Sequence, residues 1–168
     1  MLGLVPFGEE HLAGVEEMLD DPDLLRFTRI PEPVPPGFAR TWFERYDEAR
    51  GNGSREAFAI VGNGGEFLGL ALAPQIDRET LTAELGYVVA PGARGRGVAT
   101  EALRQLTEWA FVELGMLRLE LMISVENAGS KKVAERCGYL REGVLRSAYV
   151  KQNLREDTEI WSRLATDP

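Results

Sequence analysis

The sequence predicts a mixed α/β fold in one domain, residues 1–168, and three observations carry that reading. Two short apolar runs flank Gly62-Asn63-Gly64-Gly65, the composition of a tight β-hairpin turn, so the sheet begins antiparallel. The segment from Thr82 to Ser124 reads as strand, glycine-rich turn, amphipathic helix and strand, a unit of crossover length whose two strands must run parallel. Strands and helices alternate along the rest of the chain, with no repeat, low-complexity tract or linker to divide it.

Leu2 to Phe7 is a short edge strand, followed by a helix on which Leu12, Val15 and Leu19 recur at spacings of three and four and which Asp21-Pro22 stops. The prolines between Thr28 and Phe38 (Pro31, Pro33, Pro35, Pro36) predict a loop. Phe38, Trp42 and Tyr46 recur every four residues on a second helix ending near Gly51-Asn52-Gly53, a stripe expected to pack into the core. Ala57–Val61 and Phe67–Ala73 form the hairpin. In the next strand Leu81, Ala83, Leu85, Tyr87 and Val89 alternate with Thr82, Glu84, Gly86 and Val88, and Gly86 can accommodate a bulge.

Val98, Ala102, Leu103, Leu106, Trp109 and Ala110 keep helical period, and Gly115 suits that helix's end. Leu117, Leu119, Leu121 and Ile123 mark the following strand. Asn127 is placed to cap a short helix carrying Val133, Ala134 and Cys137, closed by Gly138 and Tyr139. Strands near 140–150 and 157–164 finish the chain.

Composition narrows the function. The 168 residues, 44% hydrophobic, bury an adequate core without disulfides or a structural metal. One cysteine, Cys137, and one histidine, His11, cannot assemble a Cys/His metal site; Cys137 is expected in the core and His11 at the surface. A net charge of -8 argues against a nucleic-acid partner, because phosphate neutralisation needs a basic face. Residues 1–50 carry -6 of that charge, either as a solubilising surface or as one for a cationic substrate. The N-terminus lacks a basic leader pattern and no apolar run approaches the ~20 residues of a membrane span, so a cytoplasmic setting with no membrane partner is expected.

The chemistry centres on Arg94-Gly95-Arg96-Gly97-Val98-Ala99-Thr100, directly between a strand and a helix. Glycines 95 and 97 let backbone approach a ligand, and the free amides of the helix start present a positive dipole end, the arrangement that binds phosphate or pyrophosphate. Arg94 and Arg96 add charge-assisted hydrogen bonds. A nicotinamide dinucleotide site competes, since Gly95-Arg96-Gly97 opens a G-x-G-x-x-G pattern and Glu120 lies about 20 residues beyond the turn. Against it, Thr100 replaces the third glycine and Glu120 sits inside a strand.

Here the chain resembles the GNAT acetyltransferase superfamily, whose acyl-CoA motif [RQ]-x-x-G-x-[GA] is matched by Arg94 to Ala99. Ala83-Glu84-Leu85-Gly86-Tyr87, Asn127-Ala128-Gly129-Ser130 and Cys137-Gly138-Tyr139 extend the likeness from the first hairpin to the end, most closely to the branch of ribosomal-protein N-terminal acetyltransferases. The resemblance implies a mostly antiparallel twisted sheet of about six to seven strands flanked by helices, its parallel pair splayed around an acyl-CoA cleft. It implies acetyl transfer from acetyl-CoA to a primary amine, on a protein N-terminus or a small molecule, by direct attack in a ternary complex without a metal.

Carried onto this sequence, it places the pyrophosphate on Arg94, Gly95, Arg96, Gly97, Ala99 and Thr100, and the pantetheine arm against Asn127, Ser130 and the backbone of Val88 and Val89. Ala134 stands where many relatives have a tyrosine acid. Ser130 is therefore the candidate partner of the departing thiolate, with Tyr149 as the alternative, and Glu84, a few residues before the expected thioester, is the candidate base that takes a proton from the amine. A homodimer through an exposed sheet edge stays open, as does a non-catalytic acyl-CoA sensor.

Overall fold

The computed structural model describes residues 1–168. Seven strands form a single sheet, β1 (Gly3–Pro6), β2 (Glu56–Val61), β3 (Phe67–Asp77), β4 (Thr82–Val89), β5 (Arg118–Ser124), β6 (Leu140–Lys151) and β7 (Leu154–Leu164), in the order β1-β2-β3-β4-β5-β7-β6. Every neighbouring pair is antiparallel except β4 and β5. The helices are α1 (Leu12–Met18), α2 (Pro22–Phe27), α3 (Phe38–Asn52), α4 (Val98–Val112) and α5 (Ala128–Arg136). None is long and apolar enough to cross a membrane.

The sheet separates two cores, as strand alternation requires when both faces are covered. On β3, Leu70 and Leu72 join the α1–α3 side, with Phe7, Val15, Met18, Leu24 and Ala39, while Ala71 and Ala73 join the α4–α5 side, with Leu103, Leu106, Leu119 and Tyr139. In the second core the Tyr139 hydroxyl is satisfied by Thr107 at 2.7 Å.

Four local expectations change. Asp21-Pro22 does end α1, but it also starts α2: the Asp21 carboxylate accepts from the Leu24 amide at 3.0 Å, and Pro22 fills the first helical position, where a missing N–H costs nothing. The bulge lies not at Gly86, which pairs with Leu72, but on β3, where Ala73 and Pro74 face the single residue Leu85. A proline fits there because a bulged residue has no ladder bond to give. The last strand begins at Leu154, making β6 and β7 a long hairpin. His11 is buried, not at the surface: its Nδ1 accepts from the Gly8 amide at 3.0 Å and its ring lies between those of Phe7 and Phe67.

Candidate functional site

The parallel pair is short. Thr82, Ala83 and Glu84 pair with Arg118, Leu119 and Glu120, after which β4 follows β3 as far as Val89 and β5 follows β7 as far as Ser124. Each strand twists with its own antiparallel partner, so the two diverge. The divergence opens a cleft of about 990 Å³ that runs from α3 to the start of α4.

At one end of the cleft lies the glycine-rich turn. Gly95 and Gly97 have φ of 72° and 78°, a Cβ added to either would meet nothing within 4 Å, and both line the cleft, where a ligand can meet bare backbone. The amides from Gly95 to Thr100 find no acceptor within the chain, and those of Val98 to Thr100 are the outward-facing start of the 15-residue α4. These residues fit an anion of the pyrophosphate class.

The two arginines divide. Arg96 is exposed, without an ion-pair partner, and lies outside the cleft lining, at a smaller hollow beside Gly14, Met18 and Phe67. Arg94 turns toward α2: its guanidinium pairs with Asp21, lies 3.7 Å from Asp23, and donates through Nε to the Val89 carbonyl at 3.2 Å. Burial acts to raise the Asp21 carboxyl, but the hydrogen bonds from Arg94 and the Leu24 amide outweigh it and hold the group below its ordinary value. Arg136 supplies a cation that the sequence reading missed. It follows Ser130 and Val133 at spacings of three along α5, and all three line the cleft, so helical period could have found it.

Along the cleft wall, the Ala90 amide bonds the Leu68 carbonyl, which fixes the alternation between β3 and β4. Val88 therefore turns its backbone groups toward β3, while Tyr87 and Val89 turn theirs into the gap. Val88 reaches the cleft through its side chain. Across the gap Asn127 caps α5, its side chain accepting from the Ser130 amide at 3.1 Å. The Ser130 Oγ in turn accepts from the Tyr87 hydroxyl at 3.1 Å. Burial pushes Tyr87 up to about 12, so that hydroxyl stays protonated and donates. Tyr87 was read as a core residue, and only the fold brings it to Ser130.

At the other end stands Glu84, half-buried and raised above the ordinary carboxylate range by burial, against which the Arg29 charge acts and to which Glu120 adds. Tyr149 also lines this end, but its hydroxyl donates to the Thr28 carbonyl at 2.7 Å. Phe38, Trp42 and Tyr46 form part of the wall, so the aromatic stripe of α3 packs on the core and also faces the cleft. In the acidic N-terminal segment Asp21 is taken by Arg94 and Glu32 by Lys151 at 2.5 Å, while Asp20 and Asp23 stay exposed, Asp23 lying 3.7 Å from Arg94. Glu120 pairs with Arg118 at 2.7 Å and lies outside the cleft lining, so it is not set to hold a ribose. Cys137 is buried, its Sγ donating to the Thr100 carbonyl at 3.4 Å.

Comparison with known proteins adds to this geometry. The model of an acetyltransferase (GNAT) domain matches residues 1–140. YjcK of Bacillus subtilis (strain 168), named a probable N-acetyltransferase, is 35% identical over 94 residues, which cover 55% of this chain and 52% of that protein. The matched stretch thus spans about half the length of that relative. Among solved structures, RimL, a ribosomal L7/L12 alpha-N-protein acetyltransferase in complex with coenzyme A, superposes with a TM-score of 0.89 at 19% identity, covering 97% of this chain and 93% of that one. A spermidine N-acetyltransferase from Vibrio cholerae in complex with CoA and spermine gives 0.86 at 19%, covering 99% and 96%. At these identities the likeness is one of fold.

Proposed function

The chain belongs to the acetyltransferase (GNAT) domain family, and on that footing we propose that it transfers an acetyl group from acetyl-CoA to a primary amine by direct attack in a ternary complex. The observation that carries the reading is the cleft between the diverging β4 and β5, with a glycine-rich anion cradle at one end and a raised carboxylate, Glu84, at the other. Acetyl-CoA supplies the activated acetyl group as a thioester.

In this reading the free amides from Gly95 to Thr100, with Arg136, hold the pyrophosphate. Arg94 fixes the turn against α2 through Asp21. The gap-facing backbone of Tyr87 and Val89 takes the pantetheine arm as an added strand, beside Asn127, and an amide there polarises the thioester oxygen. Glu84 accepts one proton from the incoming ammonium. Its raised pKa suits a base working near neutral pH.

The free amine forms the C–N bond and the C–S bond breaks. The second proton shed by nitrogen balances the one taken up by sulfur, so coenzyme A leaves as a thiol and no protein proton is consumed. A thiol pKa of ~8.5 lies far below that of a serine hydroxyl, so Ser130 serves as a hydrogen-bond donor to the developing thiolate. Its oxygen is occupied by Tyr87, which leaves its own hydrogen free to point at sulfur. Tyr149 is a wall residue in this scheme, its proton being held by Thr28.

The lone buried thiol of Cys137 fits a reducing, cytoplasmic setting. Leu140, Val144, Leu145 and Val150, exposed on the outer strand β6, support self-association along that edge.

Thermal shift with acetyl-CoA and with nicotinamide dinucleotides tests the donor, since only a true ligand stabilises by mass action. Stabilisation by acetyl-CoA alone is expected. Stabilisation by a dinucleotide alone would overturn the reading.

A further inference from the structure

Three arginines line the Glu84 end of the cleft, each from a different element: Arg29 after α2, Arg45 on α3 and Arg55 in the turn into β2. None has a carboxylate partner in the fold. Their sequence neighbours do, Arg26 with Glu156 at 2.5 Å, Arg40 with Glu9 at 3.1 Å and Arg50 with Glu56 at 2.6 Å. All three thus face the cleft with their charge unpaired.

The three surround one volume. The Arg55 guanidinium carbon lies 5.9 Å from the centre of the Tyr46 ring, and the charges of Arg55, Glu84 and Arg45 all act on the Tyr46 hydroxyl. Arg29 acts on both Glu84 and Tyr149. The only carboxylates lining the whole cleft are Glu84 and Asp23, and Asp23 lies 3.7 Å from Arg94.

This excess of positive charge is not the donor's phosphate site. Glu84 and Val89 are five residues apart on β4, about 16 Å at the rise of a strand. A guanidinium fork matches carboxylate and phosphate oxygens in geometry and charge. Toward a polyamine the same three groups are repulsive, and that repulsion is a means of discrimination.

We propose that the acceptor is an amine that also carries an anionic group, carboxylate or phosphate, which Arg29, Arg45 and Arg55 hold while Glu84 faces the amine. The assignment rests on the acetyl-transfer reading of the same cleft. Phe38 and Trp42 offer an apolar wall to the remainder of the acceptor.

The test compares matched amines: β-alanine with β-alaninamide, O-phosphoethanolamine with ethanolamine, and spermidine. At least one anionic member is expected to exceed its neutral counterpart about tenfold or more in kcat/KM, by an advantage that shrinks as salt is raised. Which pair shows it separates carboxylate from phosphate. In the Arg45→Gln/Arg55→Gln double variant, and separately in Arg29→Gln, the anionic-to-neutral ratio falls toward one while the affinity for acetyl-CoA holds. Preference for a neutral amine or for spermidine, or an unchanged ratio in both variants, overturns the proposal.

Failure of acetyl-CoA to bind strikes instead at the transfer reading. Calorimetry of β-alanine and O-phosphoethanolamine, with and without coenzyme A, then decides the arginine site independently of turnover. Binding weakened about tenfold in the variants supports it; no binding, or binding unchanged by the substitutions, ends it.

Discussion

The Tyr87 hydroxyl donates to the Ser130 Oγ at 3.1 Å, bridging β4 and α5 across the cleft where the parallel strands have parted. This bond sets the direction of the one hydrogen that Ser130 has left to give. Ser130→Ala removes a hydrogen bond to a developing anion, worth about 1.5–3 kcal/mol, and is expected to lower kcat by about 10- to 100-fold. Tyr87→Phe keeps the ring and loses only the orientation, so kcat falls by less than in Ser130→Ala. Affinity for acetyl-CoA, measured by calorimetry, stays within about threefold in both if each bond serves the chemical step.

Glu84 carries a prediction in pH. Burial raises its pKa, so as a base it loses activity while pH falls through a value above the ordinary carboxylate range. Glu84→Gln is expected to cut kcat/KM by about 100-fold and to abolish that acid limb of the profile. Stability moves the other way. A raised folded-state pKa means that the native protein binds the proton more tightly than the unfolded chain, so this group's contribution is present below the unfolded value and lost as pH rises through the folded one. Glu84→Gln should therefore raise Tm at pH 8 and leave it nearly unchanged at pH 4.

The cradle predicts separate effects on folding and on ligand. Gly97 has φ of 78° and open space where a Cβ would stand. Gly97→Ala costs about 1–2 kcal/mol of stability from the left-handed backbone, seen as a lower urea midpoint. The added methyl also enters the space beside the α4 amides, so the Kd for acetyl-CoA is expected to rise about tenfold.

Gly69 makes a purely structural claim. Its φ is 148°, and an added Cβ would lie 2.1 Å from the Val88 carbonyl oxygen, on the strand whose other edge lines the cleft. The obstacle is backbone and cannot swing aside. Gly69→Ala should destabilise the fold by about 1–3 kcal/mol or more and weaken acetyl-CoA binding as β4 shifts. A variant as stable as the parent would refute the register between Gly69 and Val89.

The unit from Thr82 to Ser124 was legible because local signals agree there: alternation, a glycine turn, helical period, alternation again. What escaped were pairings between distant residues. Alternation places Tyr87 with Leu85 and Val89 on the core face, yet its hydroxyl partner is 43 residues away. Arg94 beside two glycines reads as an anion ligand, while the carboxylate that takes its guanidinium lies 73 residues back. The stripe Phe38, Trp42, Tyr46 announces a buried face, but period alone does not say that a cleft shares it. The same holds for Arg29, Arg45 and Arg55, scattered in sequence and gathered only by the way α2 and α3 lie over the sheet.

The most direct test of the central claim is the initial-velocity pattern of coenzyme A thiol release, with acetyl-CoA and a primary amine varied together and the N-acetyl product measured alongside. Release that requires the amine, equals the product mole for mole and gives intersecting reciprocal plots is the result expected of direct transfer in one cleft. Acetyl-CoA binding with no amine-dependent release over peptides, amino acids, polyamines and aminoglycosides would contradict it.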